Sequence, residues 1–216
     1  MLLKDYRIVF EKTGVMRYIS HLDLNRCMIR AVRRSGLPAW YTEGFHPHLY
    51  LMFPLALSLG AESLCEVMDL RLTQEVPETD ILTRLNAALP EGLRAVSVGE
   101  PQHEAQDITG ARYEVILQGE ALSDLWEAFL SQEQILVEKK TKKGRKEVDI
   151  APLITAESDR EEGDGLHLTL CLPAGNAGNI NVSVVVDAFE KYAGRPIFTQ
   201  CVRRIKIFCE DGKDFL

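Results

Sequence analysis

Three of the five histidines in this 216-residue chain, His21, His46 and His48, fall in its first quarter, beside Arg17, Arg26, Arg30 and Arg33. They belong to two short texts, Arg17-Tyr18-Ile19-Ser20-His21-Leu22-Asp23-Leu24 and Gly44-Phe45-His46-Pro47-His48. Such residues could do several kinds of chemistry. The imidazoles, with Asp23 or Glu66, have the donor types that suit zinc or iron. His21 alone could act as general acid or base in RNA cleavage, because imidazole titrates near neutrality. Imidazoles and guanidiniums together could instead hold a ligand or RNA with no bond broken. Plain structural duty competes with all three: His21 bonding the loop at a helix start, Pro47 shaping a turn, His48 a satisfied polar group.

The elements that must position these groups can be read nearby. Ser20 is a favoured N-cap, with Asp23 three residues on as a short-armed capping box. The helix then runs from His21 to about Ser35 and stops at Gly36, before Pro38. At about 100° per residue, Leu24, Cys27, Met28, Ala31 and Val32 share an apolar stripe, and Arg26, Arg30, Arg33 and Arg34 gather opposite. Leu22 and Ile29 make a smaller apolar patch beside the arginines. That basic face is either a solvated helix surface or a phosphate-binding one.

The formal net charge of −7 argues against a protein that coats nucleic acid generally, yet the sign is unevenly spread. Residues 4–48 carry eight Lys/Arg against four Asp/Glu. Residues 139–146 hold six Lys/Arg around one glycine, including Lys142, Lys143 and Arg145. This second cluster is a basic tip that could touch phosphates or simply be solvated.

Hydrophobic alternation and turn residues give the order β-α-β-β-α-β over residues 1–100. The strands are Tyr6 to Glu11, Leu49 to Phe53, Leu64 to Leu72 and Leu93 to Val98, and the second helix is Glu78 to Leu89. Residues 99–110 read as an acidic linker. A similar order restarts over 111–216, with a hairpin inserted around the basic tip and residues 157–165 read as an acidic loop. The fold class expected is α+β, two tandem ferredoxin-like sandwiches, the second carrying the basic hairpin.

Other classes fall away. No apolar run approaches the roughly 20 residues that span a bilayer, and the opening residues lead straight into strand-like sequence, so a cytoplasmic protein is expected, with no membrane partner. Five scattered cysteines, Cys27, Cys65, Cys171, Cys201 and Cys209, read as buried thiols in a reducing compartment. No Cys-x-x-Cys pair occurs, so no cofactor or cluster of its own is expected. Gly175 to Asn179 lacks the Lys and Ser/Thr of a phosphate loop and reads as a turn before a helix capped by Asn179 or Asn181. Trp40 and Tyr41 could stack a base, but core or rim packing is the commoner duty.

The chain resembles the bacterial radical-SAM-associated, or radical-SAM-linked, proteins built around a domain of unknown function. Besides the two histidine texts, Tyr6-Arg7-Ile8-Val9-Phe10, Arg30 to Pro38, Pro54-Leu55, Gly60 to Glu66, Val148 to Ile154 and Arg203-Arg204-Ile205 carry the likeness over almost the whole length. His46 departs from it, asparagine being more usual there. The resemblance implies an accessory or binding module for a radical-SAM protein acting on an RNA-related substrate. The iron–sulfur cluster and S-adenosylmethionine would then belong to that partner, and DNA is not expected as a ligand. By analogy of fold alone, the element order is also similar to tandem ferredoxin-like RNA-processing endoribonucleases. The alternatives are a stand-alone, histidine-dependent RNA-processing enzyme with His21 as catalytic residue, and a structural interaction module docking through its acidic surface. The working surface expected comprises Arg17, His21, Arg26, Arg30, Arg33, His46 and His48, with Lys142, Lys143 and Arg145 as a second contact.

Overall fold

The computed structural model describes residues 3–141, 144–163, 165–175 and 178–216. It is an α+β protein with four α-helices among those residues. Two compact units divide the chain, Met1–Ile108 with Ile207–Leu216, and Thr109–Lys206.

In the first unit the order is β1 (Lys4–Lys12), α1 (His21–Ser35), β2 (Leu51–Met52), β3 (Glu62–Leu72), α2 (Glu78–Asn86) and β4 (Leu93–Gly99). The strands lie side by side as β4-β1-β3-β2, all neighbours antiparallel. Ile8 sits between Met68 and Val98. With Phe10, Leu70 and Leu72 these residues form the sheet side of the core, and Leu24, Met28, Ala31 and Val32 of α1 and Ile81 and Leu85 of α2 close it. Of the stripe that the i, i+3, i+4 spacing predicts in α1, Leu24, Met28, Ala31 and Val32 are buried and Cys27 is half-buried. Ser20 caps the helix by accepting the Asp23 amide at 3.1 Å, and Gly36 ends it in the left-handed region at φ 65°.

Along β3 the structure departs from simple alternation. Cys65, Val67 and Asp69 are buried as well as Met68, Leu70 and Leu72. The cause lies on the other face of the sheet. There Arg7 pairs with Asp69 through two hydrogen bonds of 2.8 and 2.9 Å. The same guanidinium donates to the His103 carbonyl and lies 4.2 Å from the Phe215 ring centre. The chain's last residues, read from sequence as part of the second domain, therefore return to the first unit. Phe215 is fully buried, and its amide donates to the Ile207 carbonyl at 3.1 Å.

The second unit contains β5 (Gly110–Gln118), α3 (Leu122–Leu130), the hairpin β6 (Leu136–Thr141) and β7 (Gly144–Asp149), β8 (Thr155–Glu162), β9 (Gly165–Pro173), α4 (Val182–Ala193) and most of β10 (Phe198–Phe208). The strand order is β10-β5-β9-β8, and among the described residues the hairpin forms a separate two-stranded sheet. Its core gathers Val115, Leu117, Leu168 and Leu170 under an aromatic group of Trp126, Phe129 and Phe189, whose ring centres lie 5.1 to 5.4 Å apart. The segment 157–165, expected as an acidic loop, is mostly strand β8. All eight β8 residues are exposed, so no apolar alternation marks it, and its pairing with β9 holds it in the sheet.

Candidate functional site

The turn that leads into α1 is held from below by buried charge. Lys12 and Glu62 are both buried at the end of the β1–β3 ladder. The Lys12 ammonium donates to the carbonyls of Arg17 and Ala61 at 3.3 Å, and Glu62 accepts the Gly14 amide at 3.0 Å. The Gly60 amide also donates to the Arg17 carbonyl, at 2.8 Å. Burying ammonium and carboxylate groups is costly unless each is bonded. Here the bonding fixes the 3-10 turn Gly14–Tyr18, the stretch that carries Arg17. A second clamp is Gly92, at φ 85°, whose carbonyl accepts the Thr13 amide. A Cβ at Gly92 would lie 2.7 Å from both the Thr13 carbonyl oxygen and Met16 Cγ, so only glycine lets the two loops meet.

Arg17 lies over the exposed Tyr18 ring at 4.8 Å and donates to its hydroxyl at 2.6 Å. One turn on, Ser20 Oγ donates to Asp23 Oδ2 at 2.7 Å, and Arg26 reaches Asp23 Oδ1 at 3.3 Å. The Ser20 hydroxyl and, after it, Arg26 hold the Asp23 carboxyl below the usual aspartate range. His21 turns elsewhere. Its ring meets Phe53 edge-on at 5.2 Å, and Phe53 in turn packs edge-on to Phe10 of the core. Counted around the helix, His21 lies about 150° from the mean direction of Arg26, Arg30 and Arg33.

The basic face of α1 points away from the core, with Arg26, Arg30 and Arg33 all exposed. Arg30 makes no ion pair among the described residues, and Arg33 lies 5.8 Å above the Tyr41 ring. Arg34 is committed to the Ala88 carbonyl at 2.7 Å. The Tyr41 contact places the start of the histidine loop beside the C-terminal half of α1. Arg33 is twelve residues after His21, about 18 Å along the helix axis.

Residues 42–48 close into a turn. The Thr42 amide donates to the His48 carbonyl at 2.8 Å, the His48 amide to Thr42 Oγ1 at 3.1 Å, and His48 Nδ1 lies 2.9 Å from the same hydroxyl and 3.3 Å from the His46 carbonyl. His48 thus has the structural duty that sequence allowed it, and His46 is exposed. His21 contacts Phe53, while His48 bonds within its own turn. Among the described residues no three His, Cys, Asp or Glu side chains gather where they could hold a metal ion.

Of the two aromatics that sequence singled out, Trp40 is engaged. It and Tyr50 flank the Arg71 guanidinium at 5.3 and 4.6 Å, and Arg71 also pairs with Asp5 at 2.6 and 2.8 Å. Phe45, which the sequence reading passed over, is the most exposed large apolar side chain in the described structure. Its signal was present: an aromatic inside a Gly/His/Pro turn has no periodic pattern to carry it inward. Lys12 and Glu62 were missed too, because strand-end charges read as surface.

In the hairpin, Lys142 and Lys143 lie outside the described residues. Arg145 pairs with Glu138 at 3.1 Å, and Lys139 donates to the Asn179 carbonyl at 3.0 Å. Lys139 stands directly opposite Lys146, and Glu138 opposite Glu147. Like charges facing across a ladder repel, and the Arg145–Glu138 pair and the Lys139 bond to Asn179 offset part of that. Burial, and then the Glu157 carboxylate that accepts from it at 3.1 Å, push the Cys171 thiol up. Asn181 stands at the N-cap of α4, with no capping hydrogen bond from its side chain among the described residues.

Comparison with known proteins gives a family and a likeness of fold. Residues 5–182 match the family described as "Uncharacterized protein conserved in bacteria (DUF2344)". Among solved structures, a chain of the "Crystal Structure of a Cbf5-Nop10-Gar1 Complex" superposes with a TM-score of 0.51 at 10% identity. The match covers 95% of this chain and 50% of that one, so this chain spans about half its length. At that identity the likeness is of fold alone. No curated protein sequence matches the chain.

Proposed function

The chain belongs to the DUF2344 family of uncharacterized proteins conserved in bacteria, and from that premise we propose that it is a non-catalytic accessory module that binds an RNA-related substrate for a radical-SAM protein. The observation that carries this reading is the outward face of α1. Arg30 and Arg33 have no carboxylate partner among the described residues, and Arg26 shares only the exposed Asp23. A row of three guanidiniums with a single carboxylate beside it, in an acidic protein, suits a phosphate backbone. The exposed Arg145 and the Lys139–Lys146 rung of β6–β7 support a second basic contact, which the sequence extends to Lys142 and Lys143. The tandem ferredoxin-like reading is supported by the order β4-β1-β3-β2 in one unit and β10-β5-β9-β8 in the other. The S-adenosylmethionine and the iron–sulfur cluster belong, on this proposal, to the partner.

The stand-alone RNA-cleaving alternative has less behind it. His21 packs on Phe53, and its ring makes no hydrogen bond or ion pair among the described residues. The test is the triple substitution Arg26→Ala, Arg30→Ala, Arg33→Ala, read as RNA affinity against salt. Weaker binding, with the log–log salt slope reduced by about two units, supports the basic-face reading; unchanged affinity ends it. For the partner, the tagged protein is isolated gently from its native cell. A radical-SAM protein recovered in comparable amount supports the accessory role, and its absence while other weak complexes survive removes it.

A further inference from the structure

We propose that the turn 44–48 is a nucleobase-stacking site, with Phe45 as the platform for an unpaired base and Tyr41 as a second ring, so that the substrate is a single strand. This rests on the reading of α1 as a phosphate-binding face. Phe45 is 101% exposed and gains nothing from the core. Its turn is nevertheless built to hold it out. Three of the contacts that close the turn run between Thr42 and His48. Gly44 takes φ 128°, a conformation side chains rarely adopt.

Tyr41 flanks the turn with its ring partly exposed and Arg33 above it at 5.8 Å. Phe45 is four residues from Tyr41, at most about 14 Å of chain, so a short strand can touch both rings while its phosphates run along Arg30 and Arg33. Trp40, held against Arg71, does not compete for this role. A cationic track beside exposed rings fits single-stranded nucleic acid, because every base has a face to stack and phosphates supply the rest. Duplex bases are already stacked and show only their edges.

The test is fluorescence anisotropy with three probes of equal length: oligouridine, the same strand without bases, and a duplex RNA. The wild-type protein is expected to bind oligouridine more tightly than either of the others. Phe45→Ala should weaken oligouridine binding about tenfold and leave the base-free strand unchanged. Phe45→Trp should keep affinity, and Phe45→Leu should behave like Phe45→Ala. Equal binding of oligouridine and the base-free strand overturns the stacking site and leaves the phosphate face standing. Full affinity in Phe45→Ala overturns it also, and full affinity in Phe45→Leu reassigns the residue to apolar docking. If the wild-type protein binds none of the three, the phosphate face fails and the stacking site with it.

Discussion

Arg34 and Arg84 each cap the other's helix. Arg34, in the last turn of α1, donates to the Ala88 carbonyl just past α2, while Arg84 of α2 donates to the Ser35 carbonyl at 3.0 Å and to the Gly36 carbonyl. The last carbonyls of a helix lack partners within it and carry the negative end of its dipole. Exchanging guanidiniums satisfies both ends and locks the two helices where they leave the core.

Arg84→Ala should therefore cost about 1–2 kcal/mol, since two carbonyls lose a charged donor. Urea unfolding measures it, and Arg84→Lys, with a single point charge, should recover only part of the loss. An unchanged urea midpoint for Arg84→Ala would show that water replaces the cap at no cost.

Asp69→Ala should be far more damaging, because it strands the Arg7 guanidinium in a buried site. The expected loss is about 3–5 kcal/mol, seen as a lower urea midpoint and faster proteolysis of the C-terminal residues around Phe215. The double substitution Arg7→Met with Asp69→Leu should restore most of the stability, and a double variant as unstable as Asp69→Ala would refute the pairing argument.

Asp23 sets a pH dependence at the start of α1. Its carboxyl is held low, chiefly by the Ser20 hydroxyl, so the folded state releases this proton more readily than the unfolded chain. The stabilisation is complete above the ordinary aspartate value of about 4 and fades as pH falls through the lower folded value. NMR titration should find Asp23 below that ordinary value, and Ser20→Ala should move it upward.

Gly92→Ala tests the clamp beneath the site from a distance. The added methyl collides with the Thr13 carbonyl and Met16, at a φ that alanine disfavours. A loss of about 1–3 kcal/mol is expected. The amide resonances of residues 13–18 should shift while those of the second unit stay in place.

The helix carrying the arginines was legible because three local signals agreed: the Ser20 cap, the apolar stripe through Leu24, Met28 and Val32, and Gly36. β8 was not legible, because its eight exposed residues are held by pairing with β9 and not by burial, and pairing leaves no mark in composition. The three histidines were grouped on closeness in sequence. The structure gives them different surroundings, since His21 turns onto Phe53 whereas His48 bonds to Thr42 within the turn that follows Tyr41. Chain separation fixes how far a loop can reach and says nothing of its direction. Lys12 and Glu62 were hidden for a related reason: what buries them is a turn arriving from elsewhere, which residue type does not announce.

β8 also bears on how this protein tolerates crowding by its own copies. A strand with one neighbour offers a row of open amides and carbonyls to any chain that can lengthen the sheet, and that is how fibres begin. From Glu157 onward this strand carries four acids and one arginine in six residues, so a second copy laid alongside would meet its own charge. The acidity that first reads as the mark of a loop is what keeps the sheet finite.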